Sequence, residues 1–433
     1  MKFRYSLFAL GFLVSVSNAT TLKDVAIHTI KNNEDIISKS INNEIFQKYV
    51  DEKEGGYQPK LDLTSTIETR STKSDPGSNV NQTGPDIQLS LEQVLYDGDL
   101  TSSLVSEAKL NYEANKYKNA ADAENIIFDA TSAYLNMLKY DERINASNEN
   151  IDNHNKYLEI AVQTEIINGE VLDKVQTKAK IHQAKSNLYE EINNKNIAFS
   201  SFTKNVGMRV QNSLCKPVID ESLIPSTFNE LFKLSLKTNY SLLEQSRNIE
   251  AQRAMIEQVE SKFKPTVKAK LQAKYDDELT TNDVETNTYS AKLEMTYNLY
   301  NGMSDKAASQ RERLSLKEAQ YKFNVISKSL EDELKVAYET YNMSKKQINE
   351  LKELVVLNKQ IIQIYKDQFE SGTRSFIDVL NVESDLFNAK INLINSEYNM
   401  YQSYYKILKL TSNLQKELVN SKQTQCVDDR LKN

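Results

Sequence analysis

The chain is 433 residues long, carries a net charge of −6 with acidic and basic side chains interspersed, and contains only ten glycines, six prolines and two cysteines. That balance argues against a nucleic-acid partner, which needs a basic excess on one face. The three histidines, His28, His154 and His182, lie far apart without metal-ligand spacing, and no phosphate-cradling glycine loop or nucleophile motif occurs, so neither an enzyme nor a cofactor or metal site is indicated.

The N-terminus reads as an export signal over residues 1–19. Lys2 and Arg4 precede an apolar run from Leu7 to Val16, and Ser17-Asn18-Ala19 puts small residues where a signal peptidase cuts. The run is too short for a comfortable membrane anchor, which needs about 20 residues. No later stretch approaches that length, so any further membrane crossing must use strands in a closed barrel. Neither Cys215 nor Cys426 follows the signal, which excludes a lipid anchor on a mature N-terminal cysteine. The two thiols either pair in an oxidising compartment or stay free.

From Thr20 the chain is one unit written twice. Thr21-Leu22-Lys23-Asp24-Val25 resembles Thr227-Phe228-Asn229-Glu230-Leu231, and Tyr57-Gln58-Pro59-Lys60 matches Phe263-Lys264-Pro265-Thr266. Leu95-Tyr96-Asp97-Gly98 matches Leu299-Tyr300-Asn301-Gly302, and Gly169, Asp173 and Ala184 match Gly372, Asp378 and Ala389. These landmarks keep one order and an offset of about 205 residues. The first repeat spans residues 20–216, a linker with the breakers Pro217 and Pro225 covers 217–226, the second repeat spans 227–415, and a tail without assignable role covers 416–433.

Within each repeat the pattern predicts helix, strand, loop, strand, long helix, glycine turn, helix. Strands are expected near 60–70, 86–96, 266–276 and 288–299, where one face is apolar and the other polar and often charged. Leu61 and Leu63 alternate with Lys60 and Asp62; Leu293 and Met295 alternate with Lys292 and Glu294. Such segments fit a barrel wall between lipid and water. Four strands cannot close a membrane barrel, because known ones have eight or more, so subunits must share it.

Helical hairpins are expected over 99–208 and 303–415. Neither glycine nor proline interrupts the chain between Gly98 and Gly169 or between Gly302 and Gly372, segments of about 70 residues that would make helices on the order of 100 Å long. Their apolar residues follow a coiled-coil period. One seam runs Leu330, Leu334, Ala337, Tyr341, Ser344, Ile348, Leu351, Val355, Asn358, Ile362, Tyr365, Phe369; its partner starts at Val379 and runs through Leu386, Ala389 and Ile407 to Leu414. In the first repeat Ala123, Ala130, Met137, Ile144, Ile151 and Leu158 recur every seventh residue. Folding back at Gly169 and Gly372 would give antiparallel coiled-coil hairpins.

The duplicated Pro-then-strand starts, the Leu-Tyr-Asp-Gly and Leu-Tyr-Asn-Gly strand ends, and Gly372-Thr373-Arg374-Ser375-Phe376-Ile377-Asp378-Val379-Leu380 followed by Ala389 resemble the TolC outer-membrane efflux family over nearly all of the mature chain. The resemblance implies a mainly α fold with a small β part: helical hairpins forming a periplasmic tunnel, and four strands per subunit in a twelve-stranded barrel shared by a homotrimer in outer-membrane lipid. It further implies docking of the hairpin-tip turns, Gly169 and Gly372, to a periplasmic adaptor and an inner-membrane transporter, with passive export of small molecules or proteins as in tripartite efflux or type I secretion.

Residue by residue, the resemblance makes Arg374 and Asp173 candidate gating-link partners and Asp378 a candidate pore-ring carboxylate. The chain departs from the family at three places. Asn381 stands at a second ring-aspartate position, Phe369 replaces a link tyrosine, and the turn from Gly169 to Asp173 is shorter than that from Gly372 to Asp378. Two other classes compete: a trimeric coiled-coil surface or structural protein without transport activity, and a periplasmic adaptor. The first would need an exposed head domain, and the second has no use for four amphipathic strands.

Overall fold

A computed structural model describes residues 19–73, 79–208, 213–281 and 284–421. The expected export signal and most of the C-terminal tail lie outside these residues. The elements in chain order are β1 (Ala19–Thr20), α1 (Leu22–Asn32), α2 (Glu34–Glu54), β2 (Lys60–Lys73), β3 (Asn79–Tyr96), α3 (Leu100–Asn168), α4 (Leu172–Val206), β4 (Ser213–Leu214), α5 (Phe228–Thr238), α6 (Tyr240–Glu260), β5 (Thr266–Thr281), β6 (Val284–Thr296), α7 (Ser304–Glu370), α8 (Phe376–Leu410) and α9 (Leu414–Asn420). The fold is thus mostly helical with four long antiparallel strands. Cα packing divides the described residues into two units: those up to Ile37 with those of Ala121–Asn239 and from Leu330 on, and those of Ser38–Ala120 with Tyr240–Ser329.

The duplication is visible in the caps. Thr21 and Thr227 each precede a helix of eleven residues and accept from a backbone amide in its first turn, Asp24 N at 3.2 Å and Glu230 N at 3.3 Å. Asn33 and Asn239 close those helices in extended conformation. A side-chain oxygen that satisfies one orphan amide is worth about 1 kcal/mol to a helix start, so the same residues mark the same boundary in both copies.

The second unit holds the sheet, ordered β2-β3-β5-β6 with every pair antiparallel. The register lines up apolar rows across it: Leu61, Leu91, Leu271 and Ala291 form one, and Leu63, Leu89, Ala273 and Tyr289 the next. Period-2 alternation then sends most of the charged residues to the other face, although Ser65 and Gln93 share the apolar one and a bulge between Val94 and Tyr96 breaks the register of β3. On the charged face Lys268 meets Glu92 at 2.7 Å, Lys270 meets Glu294 at 3.2 Å and Lys274 meets Asp86 at 2.6 Å. The apolar face is open: Leu63, Tyr289 and Leu293 are 71%, 81% and 72% exposed. β3 starts earlier than the alternation suggested and runs through Pro85, which lies just beyond the stretch paired on both sides, since pairing with β5 begins at Asp86. Proline is tolerated where one ladder edge is free. β6 ends at Thr296, so Tyr297 and Leu299 fall outside the strand.

The first unit is a helical bundle. The α7 seam is buried at Leu330, Leu334, Ala337, Tyr341, Ser344, Ile348, Leu351, Asn358 and Ile362, and the α8 seam at Val379, Val382, Leu386, Ala389, Ser396, Ser403, Ile407 and Leu410. In α3 the buried face is broader than one heptad stripe: Ile127, Ala130, Thr131, Tyr134, Leu135, Met137 and Leu138 are all inside. Arg143 forms an ion pair with Glu191, itself buried, and donates to Asn395 Oδ1 at 2.8 Å, so one guanidinium ties α3 to both α4 and α8. β1 and β4 pair in parallel, and Tyr134 accepts at its hydroxyl from Cys215 N and donates to Thr20 O at 2.9 Å. Cys215 is disulfide-bonded, which removes the free-thiol reading; Cys426 lies outside the described residues.

Candidate functional site

The two hairpin turns carry the residues singled out by sequence, and all lie in the helical unit. At each turn a glycine adopts the left-handed conformation that ends a helix: Gly169 at φ +78 and Gly372 at φ +73. No atom lies within 4 Å of a Cβ built at either one, so the glycines are required by backbone conformation and not by space.

The turn after α7 is extensively braced. Gly372 N donates to Phe369 O and Thr373 N to Gln368 O, both at 2.9 Å, closing the last helical turn. Arg374 then folds back over it: Nε donates to Gln368 Oε1 at 2.7 Å, a second nitrogen lies 3.4 Å from Asp378 Oδ2, and the guanidinium stacks 4.0 Å from the Tyr365 ring centroid. The planar guanidinium is suited to serving an amide, a carboxylate and an aromatic face at once. Phe369 packs on Phe376 with ring centroids 4.9 Å apart, and Phe376 joins Tyr157, Ala161, Val379 and Leu380 in a buried cluster. Phe369 is therefore a packing residue of the turn. A cleft of about 390 Å³ opens beside it, lined by Tyr157, Ile160 and Phe376 together with Lys156, Lys366 and Glu370.

The turn after α3 is thinner. Gly169 N donates to Glu165 O at 2.8 Å, and Val171 at the start of α4 offers no side-chain cap. Lys174 reaches back to Glu165 at 2.6 Å. Asp173 is buried, 8% exposed, and burial together with the nearby Glu170 raises its pKa above the ordinary carboxylate value. The same turn exposes apolar side chains: Ile166, Ile167 and Leu172 are 76%, 82% and 58% exposed. Within one chain Arg374 and Asp173 do not meet, because every bond of Arg374 stays inside its own turn.

Above the turns lies a polar network that sequence reasoning missed. Glu383, 4% exposed, accepts from Asn153 Nδ2 at 2.6 Å and from the Tyr157 hydroxyl at 3.0 Å. Tyr157 is held protonated by burial and by that carboxylate. His154 is buried beside it with an unpartnered Nδ1, and burial lowers its pKa, with Lys180 adding to the effect and Glu383 opposing it. Asn381 is exposed and receives Lys180 from α4. Among the described residues no cluster of three or more His, Cys, Asp or Glu is arranged to hold a metal ion, and no helix is long and apolar enough to cross a membrane.

A sequence profile described as outer membrane efflux protein matches residues 231–413. The outer membrane efflux protein BepC of Brucella suis biovar 1 (strain 1330) is 19% identical over 368 residues, covering 84% of this chain and 79% of BepC. The CmeC outer membrane channel of Campylobacter jejuni superposes with a TM-score of 0.79 at 15% identity over 96% of this chain and 94% of its own. The open state of the MtrE outer membrane channel of Neisseria gonorrhoeae gives 0.76 at 14% identity over 91% and 89%.

Proposed function

On the premise that this chain belongs to the TolC-like outer-membrane efflux family, whose members are outer-membrane channels and not enzymes, we propose that it is one protomer of a homotrimeric export conduit. Four strands from each of three chains would complete a barrel in the outer membrane, and the helical hairpins would line a passage through the periplasm. The conduit would be passive, with energy supplied by an inner-membrane transporter joined through a periplasmic adaptor in tripartite efflux or type I secretion. The observation that carries this reading is the sheet. It has an open apolar face, an ion-paired polar face, and two free edges at β2 and β6 that a soluble monomer would have to protect.

The hairpin turns would form the closed end. Asp378 and Asn381 would line the constriction, and Gly169 and Gly372 would mark the adaptor-docking turns, with the apolar residues around Gly169 as the anchoring contact. Because Arg374 and Asp173 do not meet within a chain, a link between them would join neighbouring protomers. Phe369, lacking a hydroxyl, would contribute packing alone. Reconstitution of purified mature protein in planar lipid bilayers tests the reading: stepwise conductance is expected, and its absence at protein levels that insert a control channel would refute it.

A further inference from the structure

The seam between α4 and α8 carries a contact that the gate reading leaves unused. Lys180 Nζ lies 3.5 Å from Asn381 Oδ1 and 3.3 Å from Ser384 Oγ. Ser384 spends its own hydroxyl proton on Leu380 O at 3.0 Å, so its oxygen is left to accept. Among the described residues Lys180 has no carboxylate partner. Lys174 and Arg374, by contrast, pair with carboxylates within their own hairpin turns, Glu165 and Asp378. On the α3 side, Glu383 is bonded by Asn153 and Tyr157, and the Lys180 ammonium opposes protonation of His154. An ammonium served by two neutral oxygens, both at the long end of the hydrogen-bond range, is a weak tie that can be withdrawn and restored.

We propose that Lys180 is a latch of the closed gate, tying the first-repeat helix α4 to the second-repeat helix α8 and holding a positive charge at the level of Asn381. The inference rests on the reading of Asn381 as a constriction residue. It gives a physical reason for asparagine at 381. A carboxylate there would convert the tie into an ion pair and resist opening, while its charge would be cancelled by Lys180 and add nothing to a cation-attracting ring. Lys180 acts here as a positioning residue through α8, and its charge also contributes directly to the field at the constriction.

The test is single-channel recording in a salt gradient with and without a divalent cation at the periplasmic end. Lys180→Met should raise the open fraction about tenfold, the effect of losing a hydrogen bond to a charged group, and move the zero-current potential toward greater cation preference; Lys180→Arg should leave both near wild type. Asn381→Asp alone should lower the open fraction with divalent block unchanged, whereas the same substitution added to Lys180→Met should strengthen the block. Equal strengthening by Asn381→Asp with and without Lys180, or wild-type gating and selectivity in Lys180→Met, would overturn the latch while leaving the channel intact. A wild-type protein that forms no channels is a different failure, of the conduit reading itself and of the latch with it.

Discussion

Replacing Glu124 by glutamine should stabilise the protein, and by more at alkaline than at acid pH. Glu124 sits on α3 at 2% exposure, accepts at 3.2 Å from the Gln415 amide in the first turn of α9, and leaves its other oxygen without a partner. Burial pushes its carboxyl up to about 7 against a reference of 4.5, a shift that the backbone amides of Gln415 and Leu414 and the charge of Lys409 only partly oppose. Folding therefore favours the protonated form. The contribution is fully present below about 4.5 and is lost as pH rises through about 7. Linkage puts the stability lost through this pKa difference, relative to low pH, at about 3 kcal/mol at pH 8 and about 1 kcal/mol at pH 5. Glutamine keeps the acceptor toward α9 and removes the charge. For a chain of this length melting as a unit, about 3 kcal/mol corresponds to a rise of roughly 4 °C at pH 8. Thermal unfolding of wild type and Glu124→Gln in detergent at the two pH values checks it. A variant less stable than wild type at pH 8, or a difference that does not shrink at pH 5, would show that the buried Glu124 carboxylate is not a destabilising charge.

Arg374→Ser and Asp173→Ala should each raise bilayer conductance, the first by releasing the turn that Gln368 and Tyr365 brace and the second by removing a buried partner for a neighbouring protomer; unchanged conductance in both would remove the links from the gate. Asp378→Asn should weaken divalent-cation block, because its half-exposed carboxylate would be the ring's anionic donor; equal block in the variant and wild type would count against the ring. Gly372→Ala should cost about 1–2 kcal/mol by denaturant unfolding, the penalty of the left-handed backbone alone. Gly98→Ala should cost clearly more, because a Cβ there lies 2.8 Å from both the Lys264 side chain and Ser261 O, whereas nothing stands near Gly372. Equal losses would show that the crowding is relieved without cost.

Periodic features were legible in the sequence because they repeat. The seam from Leu330 to Ile362 and the alternation after Pro59 and Pro265 draw on many residues each, so single exceptions such as Ser344 or Ser65 do not erase them. The turn glycines were legible for a related reason, since long stretches without glycine make each one conspicuous. Pairwise polar contacts were not. Glu383 follows the seam residue Val382 and reads as a solvated charge, yet it is enclosed because α3 brings Asn153 and Tyr157 against it from more than two hundred residues away. Lys180 belongs to an ordinary run of lysines on α4, and only the packing of α4 on α8 gives it Asn381 and Ser384. Arg374 is expected to pair with Asp173 of the other hairpin; within one chain its guanidinium folds back on Gln368 and Tyr365 of its own turn, neighbours that no periodic pattern marks.

In the proposed barrel the four strands of each chain are completed by other copies, and the mass of the intact assembly reads that directly. Native mass spectrometry of the mature protein released from detergent should give three chains, dissociating only under conditions that break the sheet. A stable monomer would contradict the shared barrel, because it would leave β2 and β6 as bare edges beside an exposed apolar face.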